Sequence, residues 1–242
     1  NTNTEDFVAW LWKGAGSTST NTDGDITSSV SVNATAGISI VSYTGNNLGS
    51  VQTVGHGLGD VPRFIFAKGR TGTLRSWRAT HADIAVTQTL YFSTTNTAST
   101  DDDWGDTRAT ASVFSVDSRL NEAVDYIAYC FAEVPGFSKF GSYEGNNSTN
   151  GTFVWCGFKP RWIMVKSIDS TQNWTIYDTE RNTYNLTTGT LHGNETTAET
   201  TADNQIDILS NGFKMRSTNG DSNHAETYIF AAFADIPFKY AR

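Results

Sequence analysis

The stretch of the chain richest in reactive groups is Asp101-Asp102-Asp103-Trp104-Gly105-Asp106, four carboxylates around one tryptophan. Carboxylates this close could ligate Ca²⁺, which takes about six to eight oxygens, but the spacing of a calcium-binding loop is lacking. A solvated acidic loop is the favoured reading. Two of the carboxylates could also act as the acid and base of a glycosidase, a mechanism that depends on a separation no sequence states. Trp104 offers different chemistry, because an exposed indole stacks on a sugar face. Arg70, Arg75 and Arg78 belong to a segment, 64–78, without a single carboxylate. Their guanidinium groups can fork onto carboxylate or phosphate. Trp104, Asp103, Arg70, Arg75 and Arg78 therefore form the candidate ligand-binding set, read as a glycan site. The competing reading is a core tryptophan beside a solvated basic edge strand.

Conventional catalytic patterns are missing. The sequence has no Gly-x-Ser-x-Gly elbow, no phosphate loop and no His-Glu-x-x-His helix. His56, His81, His192 and His224 are not spaced as ligands of a common metal. Gly55-His56-Gly57-Leu58-Gly59 could suggest an anion nest, but no helix follows it, and it reads as a glycine-rich hairpin. No catalytic residue, metal or cofactor is expected, and the chain is read as a non-enzyme.

The elements that must position these residues repeat along the chain. Pro62 and Pro160 each precede an Arg-aromatic-apolar run ending in lysine, at Lys68 and Lys166. Pro135 and Pro237 each close a long apolar run, Tyr126 to Val134 and Tyr228 to Ile236. These are all the prolines in the chain, and proline is tolerated at few sites of a β fold. Tyr43-Thr44-Gly45-Asn46-Asn47 matches Tyr143-Glu144-Gly145-Asn146-Asn147, Trp77 matches Trp174, and Ser112-Val113-Phe114 matches Asn211-Gly212-Phe213. A period near 100 residues is the size of a whole small domain, not of a solenoid unit.

The expected architecture is all-β: two tandem, internally duplicated antiparallel β-sandwich domains of jelly-roll-like type, spanning 37–135 and 136–242. Residues 14–36 read as a polar linker and a leading strand. Residues 1–13 read as the terminal strand of a preceding unit, since Asp6-Phe7-Val8-Ala9-Trp10-Leu11-Trp12 has the pattern of Asp125-Tyr126-Ile127-Ala128-Tyr129-Cys130-Phe131. A longer polypeptide is the corresponding expectation. Runs 161–165 and 228–233 are apolar on both faces, as interior strands between layers must be. The two copies abut at Pro135-Gly136 without a linker, so they are expected to form a stiff rod.

Composition agrees with this architecture. Aromatic residues make up 12% and charged residues only 17%, in a background of Thr, Ser, Asn and Gly that suits short strands and polar turns. The net charge of −8 lacks the basic footprint of a nucleic-acid binder. No apolar run reaches the length of about 18 residues that a membrane-spanning helix needs. Cys130 and Cys156 do not occupy matched positions, so both are expected to be free, buried thiols.

Several longer runs carry a family resemblance: Gly37-Ile38-Ser39-Ile40-Val41-Ser42-Tyr43-Thr44-Gly45, Val54-Gly55-His56-Gly57-Leu58-Gly59, the run from Tyr129 to Tyr143, Ile208-Leu209-Ser210-Asn211-Gly212-Phe213-Lys214 and Phe230-Ala231-Ala232-Phe233-Ala234. They resemble a repeat domain of tail-fibre-like and adhesin proteins of marine tailed phages. The resemblance implies a virion component that contacts the host surface, with surface glycan or lipopolysaccharide and other tail proteins as partners and three chains around one axis. A purely structural shaft or decoration protein and a surface-polysaccharide depolymerase are the alternatives. The duplication then acts as a filter. Residues shared by both copies, Trp77/Trp174, Arg63/Arg161 and Lys68/Lys166, are assigned to the fold, whereas Trp104 and the three arginines, without counterparts, are left for recognition.

Overall fold

The computed structural model describes residues 7–72, 76–201 and 205–235. Among them the chain is nearly all β. The strands, in chain order, are β1 (Ser19–Asn21), β2 (Ser28–Asn33), β3 (Ile38–Thr44), β4 (Gln52–Gly55), β5 (Pro62–Gly69), β6 (Arg78–His81), β7 (Gln88–Tyr91), β8 (Ser99–Thr100), β9 (Val113–Val116) and β10 (Asp125–Ala132). The second half adds β11 (Ser138–Glu144), β12 (Phe153–Trp155), β13 (Pro160–Ser167), β14 (Thr175–Asp178), β15 (Leu191–His192), β16 (Ile206–Leu209), β17 (Gly212–Met215) and β18 (Thr227–Ala234).

The first half has one wide sheet, ordered β1-β2-β3-β10-β5-β6-β7-β8, faced by the pair β4-β9. The second has a sheet ordered β11-β18-β13-β14-β15, faced by β12-β17-β16. Every ladder is antiparallel. In each half the first long strand lies beside the last and the second beside the last but one, as in a jelly roll. The departure from that plan is that β6 and β7, like β14 and β15, stay in the wide sheet. The reason is burial: Ala79 and Leu90 from the first group and Ile176 from the second all enter a shared core.

That core explains why four strands are apolar on both faces. Along β10, Tyr126, Ala128 and Cys130 point into the sandwich of the first half, while Phe131 points the other way. Along β18, Tyr228, Phe230 and Ala232 point into the second sandwich, and Ile229, Ala231 and Phe233 point out of it. The outward rings meet: Phe64 lies over Trp174 at 6.3 Å, and Phe131 contacts Phe140 and Phe233. The two wide sheets therefore pack face to face, which gives four layers. This corrects the expected end-to-end rod, because apolar faces bury most area broadside. Hydrogen bonds add fasteners, with Trp174 Nε1 donating to the Tyr91 carbonyl at 3.0 Å and Lys166 Nζ to the Thr95 carbonyl at 3.2 Å.

The halves repeat local geometry closely. Tyr43 stacks on Tyr126 at 5.0 Å and donates to the Leu120 carbonyl, while Tyr143 stacks on Tyr228 at 5.1 Å and donates to the Ser222 carbonyl. The amide of His56 donates to the Ser112 carbonyl, as Cys156 does to Asn211. Pro62 pairs with Ala132, and Pro160 with Ala234, each at an irregularity of the ladder, where a missing N–H is tolerated. Pro237 lies outside the described residues.

Two expectations for the N-terminal region change. Within 14–36, Ser19–Asn21 is a strand pairing with β2, not a free linker, because its backbone groups find a sheet edge. Residues 7–13 form no strand. Rings, not ladder bonds, place them: Trp12 lies against Trp162, Phe131 and Phe233, and Trp10 Nε1 donates to Asp178 Oδ2 at 3.1 Å.

Cys130 and Cys156 are unbonded and buried. Burial pushes both thiols up, that of Cys156 to about 12. The native protein is expected to resist thiol reagents at neutral pH, since the thiolate is the nucleophile. The denatured, unreduced protein should then titrate two sulfhydryls, and a count of zero would contradict the structure.

Candidate functional site

Trp104 sits beneath the pair β4-β9 with 3% of its surface exposed, its ring edge-on to Phe114 at 6.3 Å. It cannot offer a face to a sugar, and the expected stacking platform at this residue is corrected: the core reading holds. Asp103 is 1% exposed, and Arg78 Nε donates to its Oδ2 at 2.5 Å. Burial pushes the Asp103 carboxyl up from its ordinary range, and the adjoining Arg78 guanidinium pulls it back. The Arg78 guanidinium also lies 5.4 Å from the Tyr91 ring. The Tyr91 hydroxyl donates to Asp101 at 2.7 Å, and burial followed by that carboxylate pushes it up to about 12. The acidic segment is thus not simply solvated. Two of its carboxylates anchor the loop to β6 and β7.

Arg78 and Asp103 are spent on each other and leave no free fork for a ligand. Arg70 is exposed just past β5, roughly 20 Å along the strand from Arg63 at about 3.3 Å per residue. Arg75 lies outside the described residues. Of the expected set, the structure brings Arg78 and Asp103 into contact, places Trp104 next in the chain, and leaves Arg70 at the far end of the strand. His56 is a structural residue, its Nδ1 accepting from the Leu58 amide at 3.2 Å and its Nε2 facing the Thr110 carbonyl at 3.1 Å.

Beside two larger clefts of about 330 and 580 Å³ around Trp10 and Trp12, two features offer polar or aromatic groups to a ligand. The first is a cavity of about 220 Å³ where the start of β5 and the end of β6 meet the loop that follows Trp104. Its lining includes Arg63, Thr80, Trp104, Thr107, Arg108 and Ser115, and no carboxylate among the described residues. The Arg108 guanidinium donates to the carbonyls of His81 and Ile84. Arg63 Nη2 donates to Asp83 Oδ1 at 2.9 Å. Arg63 Nε and Trp104 Nε1 are buried without a partner among the described residues. The His81 ring turns away into the shared core, edge-on to Phe64, where burial pulls it down to about 4 and keeps it neutral.

The second feature is on the other half. Phe153 and Trp155 are neighbours on one face of β12, 44% and 59% exposed, with Val154 between them pointing into the core. Trp155 is braced rather than loose. A Cβ at Gly157, whose φ is +82°, would lie 3.0 Å from the indole Cζ2, so the ring packs closely on that glycine. Lys139 Nζ lies 5.9 Å from the ring centroid. In the first half the positions equivalent by register are Thr53 and Gly55, since Val54 pairs with Phe114 as Val154 pairs with Phe213. The aromatic pair therefore has no counterpart there. Applied to the second half, the filter of unmatched residues would have found it. Arg63 was missed for the opposite reason: its match to Arg161 assigned it to the fold.

The family described as "Domain of unknown function (DUF7483)" matches residues 1–237. The chain belongs to this family. No curated protein and no solved structure matches it. The DUF7483 match spans residues of both halves. The cavity and the Phe153–Trp155 face both lie within the DUF7483 domain.

Proposed function

We propose that this chain is a non-enzymatic, host-contacting adhesin domain of a phage tail, that its two halves are copies of one sandwich, and that surface glycan stacks on the exposed Phe153–Trp155 face. The observation that carries the reading is the braced, solvent-facing indole of Trp155 beside Phe153. Contiguous exposed apolar patches mark interaction sites, whereas single exposed apolar residues do not. A ring held in place loses little freedom on binding, so most of its stacking energy counts toward affinity. Lys139 beside the indole is paired with Glu133 at 2.8 Å, so the face carries no net local charge from that pair. The resemblance of the long runs to tail-fibre repeats supplies the virion context.

The test is an array of bacterial lipopolysaccharides and capsular polysaccharides probed with the intact chain. Trp155→Ala is expected to weaken binding about ten- to hundred-fold, corresponding to about 1.4–2.8 kcal/mol. Its melting temperature should stay near that of the parent, because the ring is on the surface. Unchanged binding would remove this face from the proposal, and release of reducing ends from any polysaccharide would overturn the non-enzymatic reading.

A further inference from the structure

We propose that the cavity lined by Arg63, Trp104 and Arg108 binds a small hydroxylated carboxylate, the size of a single uronic-acid ring. Size is the first constraint. Sites for drug-sized ligands run about 300–1,000 Å³, so a cavity of about 220 Å³ takes a molecule of one ring or less. Sign is the second. Among the described residues, two guanidinium groups line the space, no carboxylate does, and the one acid paired with either arginine, Asp83, holds only the far end of Arg63. His81 is neutral and turned away, so the balance facing the cavity is positive.

Hydrogen bonding is the third and most specific constraint. Buried polar atoms are almost always paired, and an unpaired one calls for an occupant. Here two buried donors, Arg63 Nε and Trp104 Nε1, belong to residues lining the same space. Both are donors only, so the missing partner is an acceptor. A carboxylate matches guanidinium geometry and charge together. The hydroxyls of Thr80, Thr107 and Ser115 can donate or accept, as ring hydroxyls can. The apolar side, formed by Ile65 and Phe114, suits the C–H face of a pyranose. Trp104 and the arginines thus keep a role in ligand binding, with the indole donating from its edge rather than stacking by its face.

This site stands independently of the Phe153–Trp155 face, which is on the other half. Calorimetric titration of the full chain with sodium glucuronate, sodium acetate and glucose, at constant ionic strength, tests it. Glucuronate is expected to bind at least tenfold more tightly than either acetate or glucose and to raise the melting temperature. Trp104→Phe keeps the ring and removes only the N–H, and Arg63→Gln removes the charge; each should weaken glucuronate at least tenfold. The Arg63–Asp83 pair is partly exposed and adds little to stability, so Arg63→Gln should fold even if Trp104→Phe does not. The proposal is overturned if glucuronate neither gives heat nor raises the melting temperature, or if glucose or acetate matches it. Folded variants that bind as the parent does would overturn it as well.

Discussion

The Asp103→Ala protein is expected to lose about 3–5 kcal/mol of folding stability, the cost of breaking a buried ion pair from one side. Arg78 and Asp103 are both almost fully enclosed, their side chains 4% and 2% exposed. With the carboxylate gone, the Arg78 guanidinium keeps, among the described residues, the Ser76 carbonyl at 3.4 Å and the face of Tyr91. Neither neutralises a charge that has left water. A loss of this size is a large part of the about 5–15 kcal/mol that holds an ordinary domain together. Urea unfolding of the two proteins measures the difference. A companion with both partners apolar, Arg78→Met with Asp103→Leu, should recover most of the loss, since removing both charges also removes the desolvation cost. A single variant within about 1 kcal/mol of the parent would mean that water reaches the pair.

How much of this was legible in the sequence depended on the distance over which each feature is decided. The strands were readable because alternation is local. Ile38–Thr44 carries a two-residue period, and Asp125–Ala132, Pro160–Ser167 and Thr227–Ala234 carry apolar residues on both sides. Short strands with no such period, such as Ser99–Thr100 and Leu191–His192, could not be read. The depth of Trp104 was hidden for a related reason. Its neighbours are all carboxylates or glycine, so local polarity suggested solvent. It packs in the apolar core against Phe114, while Asp103 beside it pairs with an arginine 25 residues away on another strand.

The N-terminal tryptophans show the converse. Phe7 to Trp12 has the alternation of a strand, but β10 and β18 already have a partner on each side. With no ladder to join there, Trp10 and Trp12 satisfy their burial by ring contacts alone. The candidate cavity was invisible from residue types because it depends on what is missing, namely a partner for two donors that only the folded chain brings to one place.

Phe131→Ala should destabilise the whole molecule by about 3–5 kcal/mol, as large-to-small changes at buried phenylalanines do, and should do so in a single transition. Phe131 belongs to the first half by sequence, yet its ring packs 5.9 Å from Phe233 and 6.3 Å from Phe140 of the second, as well as against Trp12 and Phe66. Truncation opens a cavity where the two wide sheets meet, so both lose packing at once. Independent domains joined by a linker would respond differently: only the mutated one would melt earlier. Scanning calorimetry separates the cases, because two-state unfolding makes the calorimetric and van't Hoff enthalpies agree. The parent should show one such peak, and the variant one peak at lower temperature. If the variant instead splits into two peaks, one unmoved, the halves fold on their own and the shared core only adheres them. The face-to-face contact would then be an interface between domains, and the DUF7483 match across 1–237 would span two folding units rather than one. The single peak is the expected result, since the contact is made of fully apolar faces and is tied by the Trp174–Tyr91 and Lys166–Thr95 hydrogen bonds.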